Sequence, residues 1–91
     1  ELSEQKRWDG KWRILIFDIP EKMRGKRDLF RKELREFGFY PLQKSVWVYP
    51  YYLPQDFFDL WEDMKFGQQV VLVEANSIKE DYEIRNFFGF R

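Results

Sequence analysis

One carboxylate in this chain occupies a position from which it could do chemistry. Asp18 follows the apolar run 12–17 and precedes Ile19-Pro20. A charged carboxylate at the end of a buried strand is costly unless a cation or strong hydrogen-bond donors lie beside it. Two copies related by a two-fold axis could hold one Mg²⁺ or Mn²⁺, with waters completing an octahedron. Asp18 is therefore the candidate catalytic residue and metal ligand. The alternative is a turn carboxylate that accepts backbone hydrogen bonds or pairs with Lys22 or Arg24.

The composition excludes most other catalytic chemistry. The chain has 91 residues with no Cys and no His, so it has no disulfide, no thiolate or imidazole metal ligand and no His-containing triad. An enzyme built from the remaining groups would use carboxylate-held hard metal ions. The length fits a single domain, 1–91, with a leader over 1–10 and a tail over 76–91.

Positive charge is concentrated in the first half of the chain. Residues 1–50 carry 12 Lys and Arg against 8 Asp and Glu, and residues 51–91 carry 4 against 8. Five basic residues are the candidate contacts to phosphates of double-stranded DNA: Lys22, Arg24, Lys26, Arg27 and Arg31. Lys32 and Arg35 continue the series. The alternative is a solvated helix face, because Asp28, Glu33 and Glu36 interrupt it.

Periodicity predicts the elements that must position these residues. A strand buried on both faces is expected over 12–19, and a helix over 25–37 that ends at Gly38. The β-rich segment 39–52 should split into two strands near 43–45. A second helix is expected to begin near Pro54 and end before Gly67, followed by a strand over 70–73. The order predicts an α+β fold, a ferredoxin-like βαββαβ sandwich with two helices on one face of a four-stranded antiparallel sheet.

Two helices would leave one face of the sheet uncovered. The first strand is apolar on both sides, so either the tail or a second protomer must cover that face. The tail aromatics Phe87, Phe88 and Phe90 could equally pack on the core, contact a partner protomer or mark where another domain docks. We expect a face-to-face homodimer. Its predicted interface consists of Trp12, Ile14, Ile16, Trp47 and Tyr49.

The cluster formed by Trp47, Tyr49, Tyr51 and Tyr52 has an alternative role. These rings could stack nucleobases, although burial in the sheet and the dimer interface is the preferred interpretation. No apolar run approaches the roughly 18 residues of a membrane span, and the charged start differs from a secretion signal. We therefore expect a cytoplasmic protein with no membrane partner.

Three segments carry a family resemblance: 8–12 (WDGKW), 16–21 (IFDIPE) and 42–48 (LQKSVWV). Together they resemble the central domain of the PaaX family, the repressors of phenylacetic-acid catabolism. That domain is similar to the CRISPR-associated Cas-two family of endonucleases and spacer-acquisition proteins. The resemblance covers about 8–73 and implies a ferredoxin-like fold and a face-to-face homodimer.

The two branches of the resemblance imply different functions. In the repressor branch a winged helix-turn-helix domain reads DNA, so this chain, which begins shortly before Trp8, resembles an excised domain or a standalone relative. We expect a non-catalytic dimerisation and DNA-associated domain of a PaaX-like transcriptional regulator. The alternative is a Cas-two protein, which is either an Mg²⁺- or Mn²⁺-dependent endonuclease using Asp18 or a structural subunit beside a CRISPR integrase. A protein–protein adaptor without nucleic acid is a third hypothesis.

Overall fold

A computed structural model describes residues 7–90, so the first six residues of the predicted leader and Arg91 of the tail lie outside the described residues. The strands are β1 Trp12–Phe17, β2 Tyr40–Gln43, β3 Val46–Tyr49 and β4 Val70–Ala75. The helices are α1 Arg24–Phe37, α2 Gln55–Met64 and α3 Tyr82–Phe88. Short 3-10 turns over 21–23 and 67–69 precede α1 and β4.

The four strands form one antiparallel sheet in the order β2-β3-β1-β4. The predicted α+β class and the four-stranded antiparallel sheet are confirmed. The expected break near 43–45 is the turn between β2 and β3, and the register shifts between Pro41 and Gln43. The strand β1 lies between β3 and β4 and is therefore a central strand of the sheet. Both of its apolar faces need to be covered.

The first face of the sheet carries the main core. Leu15 and Phe17 of β1 are buried with Phe30 and Leu34 of α1 and with Phe57 of α2. Their side chains come from alternate strand positions and from helix positions four apart, which is the pattern that brings one sheet face against one helix stripe. The two predicted helices therefore cover this face.

Gly38 ends α1 as the sequence predicts. Its φ of 98° lies in the left-handed region, where a side chain would be strained. In this conformation the Gly38 N–H donates to the carbonyls of Leu34 and Arg35, and the Phe39 N–H donates to Leu34. These bonds satisfy carbonyls that the end of a helix would otherwise leave unpaired.

A third helix, α3, was not predicted and lies in the segment expected to be a polar tail. Its apolar positions Ile84 and Phe88 are four residues apart, so they share one side of the helix. Ile84 is buried with Trp12 and Val48 on the second face of the sheet, where Phe88 and Phe90 also pack. The tail is therefore the cover for the end of this face that carries Trp12.

The other end of the second face stays open. Ile16 is 41% exposed, Val71 50% and Val73 38%. Ile16 pairs with Val71, and Ile14 pairs with Val73, so the exposed side chains are neighbours across β1 and β4. We call Ile14, Ile16, Val71 and Val73 the open-face patch. Within residues 7–90, no helix is both long and apolar enough to span a membrane.

The contact between α3 and the sheet leads to a stability prediction. Ile84→Ala should lower the free energy of unfolding by about 3 kcal/mol, because it removes a side chain buried against Trp12 and leaves a cavity. Tyr82→Ala is the matched control, since Tyr82 is in the same helix and 73% exposed. Urea unfolding followed by tryptophan fluorescence measures both variants. Equal losses in the two variants would contradict the packing role of α3.

Candidate functional site

Asp18 lies at the end of β1, beside the open-face patch. Its backbone N–H donates to the carbonyl of Gln69 at 2.8 Å, which extends the β1–β4 ladder by one pair. Strand alternation puts Asp18 on the same face as Ile16. The side chain is exposed. Within one protomer its charge is therefore in contact with water, and no cation is needed to offset burial of the carboxylate.

The carboxylate of Asp18 has no hydrogen bond or ion pair within the described part of the chain. Arg24, one of its predicted alternative partners, pairs with Glu21 instead, at 3.0 Å. Across residues 7–90, no cluster of three or more carboxylates is placed to hold a metal ion. A metal site at Asp18 would therefore require ligands from a second copy or from solvent.

The predicted phosphate contacts lie on a surface where charges are paired. Glu21 accepts ion pairs from both Arg24 and Arg27, at 3.0 and 3.3 Å. Arg31 lies 3.5 Å from Asp28. Lys26 donates through Nζ to the backbone carbonyl of Met64, at 3.3 Å, and so joins α1 to the end of α2. Lys22 is exposed and has no ion pair among the described residues. The five residues lie along the turn 21–23 and the first part of α1, but carboxylates or a carbonyl engage four of them.

The predicted interface residues divide between the two faces. Leu15 pairs with Trp47, and Arg13 pairs with Tyr49, so these two aromatic residues lie on the helix-covered face and not with Ile16. Trp47 is 1% exposed and Tyr49 is 7% exposed. The β1–β3 register thus places Trp47 and Tyr49 on the opposite sheet face from Ile14 and Ile16, so the five predicted interface residues do not share one face.

The open-face patch retains only part of the predicted interface. Trp12 is on the correct face but is 1% exposed, because Trp8, Phe88 and Phe90 pack around it. Ile16 is exposed, and Ile14 is partly buried. Val71 and Val73 were not predicted; their alternation along the last strand was the signal that could have identified them. A partner could thus contact Ile14 and Ile16 of the five predicted residues.

A buried arginine forms a charged cluster that sequence analysis missed. Arg13 is 2% exposed and lies near the start of β1 on the helix-covered face. Its Nη1 donates to Asp9 Oδ1 and to the Pro50 carbonyl, both at 3.0 Å, and its Nη2 donates to Asp9 Oδ2 at 2.9 Å. Glu74 lies 3.4 Å from Nη2, and the Tyr52 ring lies 4.2 Å from the guanidinium carbon. We call these residues the Arg13 clamp.

The Arg13 clamp orders the segment before β1. Asp9 Oδ1 also accepts the backbone N–H of Lys11, at 3.0 Å, which closes a tight turn. The bonds from Arg13, with that N–H, lower the pKa of Asp9 to about 2. The same pairing raises the pKa of Arg13. The signal in the sequence was an arginine within an apolar strand, four residues after an aspartate. Its bonds hold two chain segments together and make this cluster structural.

A known family model covers most of the chain. The family model described as the PaaX protein central Cas2-like domain matches residues 5–85. This range contains all four strands, α1 and α2, the Arg13 clamp and the open-face patch. No curated protein matches the chain.

The Arg13 clamp predicts a specific dependence of stability on pH. Asp9→Asn should lower the urea midpoint at pH 7, because the paired carboxylate is lost. The pKa of Asp9 is lowered on folding, from 3.8 to about 2, so its contribution is present above pH 4 and disappears as the pH falls through about 2. The gap between wild type and variant should therefore close in that interval. Asp63→Asn, an exposed aspartate on α2, is the control. A gap that stays constant with pH would contradict the clamp.

Proposed function

The chain belongs to the family of the PaaX protein central Cas2-like domain, and from this premise we propose that it is the non-catalytic dimerisation domain of a PaaX-like transcriptional regulator. The observation that carries the proposal is the open-face patch, which α3 leaves exposed. In the full regulator, DNA reading would belong to a helix-turn-helix domain, and the domain described above would set the distance between two such units. Such a regulator would act in the cytoplasm.

The proposed partner is a second copy of this chain on the open face. The strand order and the order of elements through β4 support a ferredoxin-like sandwich, in which α1 and α2 occupy the opposite face. The patch is apolar, and a two-fold axis near Ile16 would place apolar side chains of one copy against those of the other. Burying each half-exposed Val or Ile contributes roughly 1 kcal/mol. The patch could thus pack against the same patch of a second copy, because both sides of the contact would be apolar.

Contact with double-stranded DNA is a secondary part of the proposal. Lys22 and Arg24 are exposed near the start of α1, and a dimer would present them twice. The ion pairs of Glu21 with Arg24 and Arg27 reduce the positive charge available to phosphates. We therefore expect this domain alone to bind duplex DNA weakly and without sequence preference.

The patch predicts the effect of a single charged substitution on assembly. The wild-type chain should have twice the mass of one chain in light scattering at micromolar concentration. Val71→Lys should shift the mass to that of one chain, because it buries a charge in an apolar contact. Leu29→Lys is the matched control, since Leu29 is 47% exposed but lies on α1. A wild-type chain with the mass of a single copy would overturn the proposal.

The non-catalytic assignment has its own test. With Mg²⁺ or Mn²⁺, the wild-type chain should leave linear duplex DNA and single-stranded RNA uncut, because Asp18 is exposed and belongs to no cluster of three or more carboxylates within residues 7–90. Asp18→Asn should keep the wild-type mass. Metal-dependent cleavage that disappears in Asp18→Asn would reject the assignment in favour of an endonuclease.

A further inference from the structure

A groove lies between the second half of α1 and the turn that joins β2 to β3. Its volume is about 350 Å³. It is lined by Arg31, Arg35, Pro41, Gln43, Lys44 and Trp47. Three of these six residues are cationic and none is acidic. The groove is on the helix-covered side of the sheet, because Trp47 is part of the core beneath α1 and α2.

The turn holds one of the three cations in place. Arg31 Nε donates to the backbone carbonyl of Lys44, at 3.0 Å. The same carbonyl accepts the indole N–H of Trp47, at 2.9 Å. Two bonds on one carbonyl fix the turn against α1, so the guanidinium of Arg31 is positioned at the groove before any ligand arrives. Its nearest carboxylate, that of Asp28, is 3.5 Å from Nη1.

The other two cations have no carboxylate partner. The guanidinium carbon of Arg35 lies 5.4 Å from the centre of the Trp47 ring, within the range of a cation–π contact. In the described part of the chain, neither Arg35 nor the Lys44 ammonium has an acidic group within 4.0 Å. Both side chains are on exposed residues, so their charges are available to a ligand.

The groove differs in this respect from the rest of α1. Arg24 and Arg27 pair with Glu21, and Lys32 pairs with Glu36 at 3.3 Å. The carbonyls at the end of the helix are also occupied, since Gly38 and Phe39 donate to them. An anion in the groove would therefore meet positive charge that the fold has not neutralised.

We propose that this groove binds a phosphate group. The Arg35 guanidinium offers paired N–H donors that match phosphate oxygens, and the Lys44 ammonium adds a point charge. Arg31 adds a third positive charge, which Asp28 partly offsets. The volume suits a phosphate with part of the molecule that carries it. The source is either the backbone of DNA or a phosphorylated small molecule. The site shares no residue with the open-face patch. With DNA as the source, the inference rests on the DNA contact in the proposed function and deepens it; with a small molecule as the source, it goes beyond that function.

The first experiment titrates the ¹⁵N-labelled full chain with adenosine monophosphate at low salt. Saturable shifts are expected at the Trp47 indole N–H and at the Nε–H groups of Arg31 and Arg35. Arg35→Gln and Lys44→Gln should each weaken binding roughly tenfold, because each removes one charge-assisted contact. Lys32→Gln is the matched control: it removes one positive charge from the same helix outside the groove, and its affinity should equal that of wild type.

The second experiment identifies the source of the phosphate. Fluorescence anisotropy with a random-sequence duplex is measured at two salt concentrations. If DNA is the source, Arg35→Gln and Lys44→Gln weaken duplex binding roughly tenfold and flatten its salt dependence. If a small molecule is the source, these variants lose the nucleotide and bind the duplex as wild type does.

Two results would overturn the proposal. One is the absence of saturable shifts at the groove with the nucleotide together with duplex binding that Arg35→Gln and Lys44→Gln leave unchanged, and the other is an equal loss of binding in Lys32→Gln. Lys44→Gln keeps the test valid even if Arg35→Gln unfolds, because the two hydrogen bonds of Lys44 use its backbone carbonyl and its side chain makes no hydrogen bond or ion pair within residues 7–90. The mass measurement for the dimer is separate, so failure of either proposal leaves the other testable.

Discussion

The strand β1 must be buried on both of its faces, and the rest of the structure depends on how that is done. Leu15 and Phe17 face α1 and α2, whereas Ile14 and Ile16 face the other way. Helices packed on one side of a sheet leave the reverse side exposed to water, which is unfavourable for apolar residues. The helix α3 covers only the end that carries Trp12. The exposed remainder is the surface on which we propose that a second copy packs.

Many of the charged side chains in this fold pair with oppositely charged neighbours, and the chain as a whole has a net charge of zero. The alternation that buries Leu15 also places Arg13 on the covered face, where a guanidinium is tolerated only with good hydrogen bonds. Asp9 and the Pro50 carbonyl provide them. Along α1 the pairing with carboxylates is extensive at the beginning and incomplete near Arg35. The basic half of the sequence is therefore not one uniform basic surface.

The sequence was sufficient for the strands and for α1 and α2, because their apolar periods are strong and Gly38 marks a helix end. It was insufficient for α3, which has only seven residues; Ile84 and Phe88 pack on the sheet, whereas Phe87 remains 54% exposed. It also failed for the face of Trp47, because the faces of two strands become related only through their register. Only the Asp9–Arg13 spacing of the Arg13 clamp had a signal in the sequence, since Pro50 and Glu74 come from distant segments. Which basic side chains of α1 pair with carboxylates likewise depends on side-chain geometry, and residue types alone do not determine it.

The two proposed surfaces are compatible because the sheet separates them. The open-face patch is on β1 and β4, on the side away from α1, whereas the groove opens beside α1 at the β2–β3 turn. A dimer through the patch would leave both grooves accessible, one on each copy. Two phosphate sites related by a two-fold axis would then bind a symmetric polyanion more strongly than one site does, because the second contact becomes intramolecular. Dimerisation would thus strengthen binding at the groove without adding a contact to it.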